Sequence, residues 1–177
     1  MPNSYIKIRE YLKSLEEQYH LQICIKDFCG FIPINKDLDF SLQPFLVHTN
    51  SFCMYIKSDD DHYRDCLSMI RLMYNKSNKV SSSYFGMCHA GLGEYVIPIR
   101  SGNSLIGTIN VGFFQINDKR THQLIKRTCR RHAPLDAEKA FELYHTCIRS
   151  SDIDIATILP GLELLAEYLG QTYRLLE

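Results

Sequence analysis

The stretch from Tyr84 to Gln115 sets the terms on which this chain can fold. It reads Tyr84-Phe-Gly-Met-Cys-His-Ala-Gly-Leu-Gly-Glu-Tyr-Val-Ile-Pro-Ile99, then a Ser-Gly-Asn turn, then Leu105-Ile-Gly-Thr-Ile-Asn-Val-Gly-Phe-Phe-Gln115. Its aromatic and β-branched residues make it the most strand-like sequence in the chain. Ser101-Gly102-Asn103 predicts a hairpin turn. Pro98 has no N–H to give to a ladder, so it predicts an edge or a bulge. Gly107 and Gly112 sit inside the second strand and predict room for a ligand over the sheet. The same stretch carries Cys88-His89, the most chemically loaded pair in the sequence.

Around this core the pattern is mostly helical. Tyr5, Ile8, Leu12, Leu15 and Tyr19 form one stripe at helical spacing, predicting a helix over residues 4–19 capped by Asn3 or Ser4. Leu21, Ile23 and Ile25 alternate with Gln22, Cys24 and Lys26, the pattern of a half-buried strand. Asp27-Phe28-Cys29-Gly30 predicts a turn, and Phe31-Ile32 a short return strand that stops at Pro33. Residues 35–50 are polar, are interrupted by Pro44 and predict irregular chain. Asn50-Ser51 can cap a short helix bearing Phe52, Cys53 and Ile56. Asp59-Asp60-Asp61 marks the start of a helix running to about Tyr74, since carboxylates favour the positive end of the helix dipole. Cys66, Ile70 and Met73 share one of its faces. Residues 76–83 read as a polar loop, and 118–132 and 136–148 as helices. The basic end of the first of these suits the negative end of a helix.

Near the C-terminus Ile155, Leu159, Leu162, Ala166, Leu169, Tyr173 and Leu176 recur at alternating four- and three-residue steps. Three heptads of that pattern suit either a homodimer seam through the C-terminal helix or a stripe packed on the sheet. The pattern runs to the last residue, and the expectation is that the chain is one part of a longer protein.

The chain has 177 residues, with 45% apolar and 23% charged side chains and a net charge of zero. One compact domain over residues 1–177 is the expectation. Neutrality argues against nonspecific binding of nucleic acid or membrane, which draws on excess positive charge. The start Met-Pro-Asn-Ser-Tyr lacks the form of a signal peptide, and no apolar run approaches a membrane span, so a cytoplasmic location is expected. Seven cysteines form an odd set and argue against a complete disulfide framework. No P-loop, dinucleotide fingerprint, G-x-S-x-G or H-E-x-x-H is present.

Cys53, Cys66, Cys88 and His89 stand in the spacing Cys-x12-Cys-x21-Cys-His. Thiolates and imidazole can fill a zinc or iron shell, which makes a metal or redox sensor one alternative. Finger and ribbon sites place two ligands two to four residues apart, and this spacing does not. Neighbouring residues on a strand face opposite ways, so Cys88 and His89 share a site only if the chain turns at Ala90-Gly91. A cysteine-dependent enzyme is a further alternative, but no orienting group for a Cys–His pair is evident, and no enzyme activity is expected.

The run Cys88-His89-Ala90-Gly91-Leu92, with Glu94, Pro98-Ile99 and Gly107 after it and Phe52-Cys53 and Cys66 before it, resembles the PocR sensory domain. The resemblance covers about residues 5–175. It implies an α+β fold of PAS type, an antiparallel sheet of about five strands flanked by helices. It also implies a sensor of small hydrocarbon derivatives such as short diols, set in front of an AraC-type DNA-binding module or in a signalling kinase. The chain has no room for such a module, so DNA contact is expected from outside it. Where that family usually has Gly-Gln after the central strand, this chain has Gly112-Phe113-Phe114-Gln115, which makes the pocket floor more aromatic. The expected ligand site is Tyr84, Cys88, His89, Tyr95, Cys53 and Cys66, and the expected partner is a small organic molecule.

Overall fold

The computed structural model describes residues 2–114, 118–148 and 153–176. In chain order these form α1 (Pro2–Tyr19), β1 (Gln22–Asp27), α2 (Lys36–Leu42), α3 (Ser51–Ile56), α4 (Asp60–Lys79), β2 (Tyr84–Met87), β3 (Gly93–Ser101), β4 (Ser104–Phe114), α5 (Asp118–Arg131), α6 (Ala137–Cys147) and α7 (Leu159–Leu176). The strands make one antiparallel sheet in the order β1-β4-β3-β2. The expected α+β class and the C-terminal helix stand, and the sheet has four described strands where about five were expected.

The strand that does not form is Phe31-Ile32. Asp27 accepts hydrogen bonds from the backbone N–H groups of Cys29, Gly30 and Phe31 at 3.0, 2.7 and 3.0 Å, and from Ile32 at 2.9 Å. Donors spent on one carboxylate cannot enter a ladder, so the segment closes as a turn with Gly30 at φ +81°. Phe31 and Ile32 still bury their side chains in the core.

Residues 35–50 are also more regular than their polarity predicts. The Asn35 side chain accepts from the N–H groups of Asp37 and Leu38 and starts α2, and a 3-10 turn follows at Gln43–Phe45. Leu38, Leu42 and Phe45 lie three and four residues apart, and all three are buried. Pro44 sits in the first turn of the 3-10 segment, where its missing N–H costs nothing.

Register gives the sheet two unlike faces. On one, Ile23, Ile25, Ile97, Ile99, Ile109 and Val111 face α1 and α7 and form the main core. On the other, the cross-strand rows are Lys26–Thr108–Pro98, Cys24–Asn110–Val96–Tyr84 and Gln22–Gly112–Glu94–Gly86. Pro98 pairs with Thr108 beyond the end of β2, so its N-side meets no strand, and a bulge follows at Ile99/Arg100.

The heptad stripe of α7 is spent within the chain. Leu162, Leu165, Ala166 and Leu169 are buried against the sheet, and a Cβ at Gly170 would collide with the carbonyl oxygen of Arg100. Those residues are therefore not a seam for a second copy. Of the two readings of the stripe, packing on the sheet is the one the geometry shows.

Candidate functional site

The polar sheet face is covered by α4, which runs on past Tyr74 to Lys79 and takes up the first half of the expected loop. Asp59 caps its start by accepting from the N–H groups of Asp61 and His62. Both ends are fixed. At the N-terminal end the buried His62 ring lies between the Asp59 carboxylate and the Thr128 carbonyl of α5, the latter at 3.0 Å. Asp65 meets Arg131 and His132 at 3.1 Å each. At the C-terminal end the Arg100 guanidinium donates to the carbonyls of Ser77 and Val80, the orphan acceptors of a helix terminus.

Between these anchors the helix does not pack down. Cys66, Met69, Ile70 and Met73 face a cavity of about 360 Å³, near the lower end of the size range of small-molecule sites. Its floor is Lys26, Glu94, Val96 and Asn110 of the sheet. Its walls are Phe52 and Cys53 of α3, His48, Phe113 and the turn carrying Cys88 and His89.

That turn settles how Cys88 and His89 share a site. Gly91 N–H donates to the Cys88 carbonyl at 3.0 Å and Cys88 N–H to the Leu92 carbonyl at 2.9 Å, with Gly91 at φ +87°. The chain reverses there, and both side chains line the cavity. Of the six residues expected at the site, Cys53, Cys66, Tyr84, Cys88 and His89 come together. Tyr95 does not. It lies one residue out of phase with Glu94 and Val96, so it points to the other sheet face. There its ring meets Phe85 at 5.2 Å and Phe114 at 5.3 Å. The aromatic floor expected from Phe113-Phe114 divides in the same way, with Phe113 alone in the cavity wall; Gln115 lies outside the described residues.

The thiols are held neutral. Burial pushes Cys53 up to about 12 and raises Cys66 and Cys88 as well, with the Glu94 charge adding to the rise at Cys88. Burial lowers His48 and His89 below their ordinary range. Cys66 Sγ and His89 Nε2 lie 3.0 Å apart as a neutral pair. No three His, Cys, Asp or Glu side chains among the described residues converge on a point that could hold an ion. Among the described residues, Cys53, Cys66, Cys88 and His89 are thus not gathered on one point as a zinc or iron shell would gather them. His89 Nε2 is turned to Cys66 and not to Cys88, and a neutral thiol is a poor nucleophile.

The floor carries polar groups that the sequence reading did not select. Asn110 Nδ2 donates to Glu94 Oε2 at 2.8 Å, and the Thr108 hydroxyl donates to Asn110 Oδ1 at 2.8 Å. All three residues are buried. The signal was present as Thr108-x-Asn110-x-Gly112, a polar alternation inside an apolar strand, which marks a second face that is not ordinary core.

An α+β domain that keeps a helix off a polar sheet face, over a cavity walled by aliphatic, aromatic and sulfur side chains, has the concave, mostly apolar form of a small-molecule site. The chain belongs to the family described as the sensory domain found in PocR, whose pattern it matches over residues 6–173. No curated protein and no solved structure matches it. No helix among the described residues is long and apolar enough to cross a membrane.

Proposed function

We propose that the chain is the ligand-sensing domain of a cytoplasmic transcription regulator, and that its ligand is a small, mostly apolar hydrocarbon derivative or short diol held between the sheet and α4. The observation that carries this reading is α4 itself: pinned at both ends, it turns its apolar face to the cavity instead of to packed side chains. Three lysines and one glutamate line the cavity, which favours an uncharged ligand over a cationic one. The family match supports sensing over catalysis, and the raised Cys88 thiol agrees with it.

Occupancy would be passed on through Arg100. Its guanidinium holds the C-terminal end of α4, and its carbonyl abuts Gly170 of α7. Ser83 adds a second link by donating to Glu163 of α7 at 2.6 Å. A ligand that binds one position of α4 better than another shifts the population of that position and with it α7. DNA contact belongs to a module outside this chain, and the zero net charge agrees with that. The homodimer expected through the C-terminal helix would need a surface other than the buried seam.

Thermal-shift screening with small alcohols, diols and aromatics tests the reading. A ligand at 100 times its Kd raises stability by about 2.7 kcal/mol, a shift of several degrees in a chain of this size. Absence of a shift with every class, combined with unchanged hydrogen exchange in α4, would end it.

A further inference from the structure

The floor of the cavity makes one hydrogen bond to a poor acceptor. Asn110 is almost wholly buried, and its amide nitrogen has two N–H groups to place. One goes to Glu94 Oε2 at 2.8 Å. The other meets the thioether sulfur of Met73, on α4, at 3.2 Å. Thr108 Oγ1 lies 3.5 Å from the same sulfur, but its only proton is used on Asn110 Oδ1. A thioether is a weak acceptor and methionine a pliable one, so this contact is easily exchanged for a better one.

Glu94 is under-served beside it. Among the described residues its one full-strength hydrogen bond comes from Asn110, and His48 Nδ1 stands 4.0 Å from its other oxygen, too far to donate. The Met73 sulfur thus holds a point where Asn110 would welcome an acceptor, while Glu94, bonded to the same Asn110 amide and lining the same cavity, would welcome a donor. A hydroxyl group is both at once. An ammonium would satisfy only Glu94, and it would have to bind among Lys26, Lys57 and Lys76, all of which line the cavity. A carboxylate would satisfy only Asn110 and would face Glu94.

The geometry points to Met73 as a placeholder for the ligand: its thioether holds the position that a ligand hydroxyl takes over, accepting from Asn110 and donating to Glu94, and the displaced side chain moves α4. The inference rests on the sensing reading and adds to it the specificity residues, Glu94 and Asn110, and the group that reports occupancy. Exchange of a side chain on α4 for a ligand atom also ties binding directly to the position of the helix.

Methyl-13C methionine NMR on the whole chain tests this, with a four-carbon panel of butan-1-ol, butane-1,2-diol, butylamine and butyrate as probes. Met73→Leu assigns the Met73 signal and removes its acceptor at nearly constant volume. The expected result is that the alcohol and diol shift the Met73 methyl resonance, and the amine and acid do not. Met73→Leu should bind the same alcohol about fivefold tighter, since the competing acceptor is gone, and Asn110→Val about tenfold weaker. Alcohol binding seen at Met69 and Met87 with the Met73 signal fixed and unchanged Met73→Leu affinity overturns the placeholder and leaves the sensing reading standing. Preference for the amine or the acid overturns the hydroxyl assignment. If no probe moves any methionine methyl group, the placeholder is overturned, and the sensing reading stands or falls on the wider thermal-shift screen.

Discussion

Asp27 shows how much one exposed-looking carboxylate can decide. It serves four backbone N–H groups, and this closes the turn that carries Phe31 and Ile32 into the core. Asp27→Ala leaves those donors to water or to nothing, and the expected cost is about 2–3 kcal/mol, since hydrogen bonds to a charged group are the stronger kind. A lower urea midpoint at unchanged slope is the measurement. Cysteine reactivity is a second prediction at this scale. Cys29 is exposed and should alkylate first at pH 7.5, while Cys53 and Cys88, raised by burial, should lag far behind. Mass-resolved labelling reads this directly, and fast labelling of Cys88 would restore the nucleophile that the structure argues against. The cysteine and histidine wall of the cavity was legible in the sequence because those side chains are rare and chemically distinct. Thr108 and Asn110 were not selected, because each sits between apolar neighbours and only the cross-strand register shows that they share a face with Lys26 and Glu94. Tyr95 was misplaced for the same reason: one residue of phase separates the cavity from the core.

At the scale of elements, helix existence was readable and helix extent was not. The stripe of α1 and the start of α4 at the aspartate run follow from local periodicity and capping. The last turn of α4 reads as a polar loop because what holds it is distant: Arg100 takes its terminal carbonyls, and Ser77 is buried against Tyr84 at 3.0 Å. Residues 35–50 hid α2 because the buried Leu38, Leu42 and Phe45 of this stretch are diluted by lysine, aspartate and proline. The element most worth probing is α4, whose middle lies over the cavity while α7 lies on packed side chains. Amide exchange should be faster over residues 66–76 than over residues 162–170, and a bound alcohol or diol should slow the former selectively. Arg100→Ala leaves the final turn of α4 without its donors, so exchange at residues 76–79 should rise sharply. Equal protection of α4 and α7 would contradict this picture of the roof.

For the whole molecule, the two sheet faces have different work. The apolar face supplies stability through α1 and α7, and Leu162→Ala, at a fully buried position, should cost about 2–5 kcal/mol. A drop in sedimentation coefficient at unchanged stability would instead indicate that the stripe serves association. The polar face carries a pH dependence. His48 and His89 are held below their ordinary range by burial, so the unfolded chain binds protons that the folded chain refuses. Their neutral forms are accommodated at pH above about 6.5, and stability falls as pH drops through and below that value. Melting temperature should decline between pH 7.5 and 5.5, and the double variant His48→Gln, His89→Gln should flatten that slope.

The cavity beneath α4 also bears on how long the protein survives. A helix that lies over a cavity instead of packed side chains has fewer contacts holding it down, and a ligand bound beneath it would supply some of them. Proteases act on locally open states. Occupancy should therefore set lifetime as well as signal: limited proteolysis should cut first within α4, and a bound alcohol or diol should lengthen the half-life of the chain. On the proposed sensing role, loss of the ligand would then lower the amount of the protein as well as its occupancy.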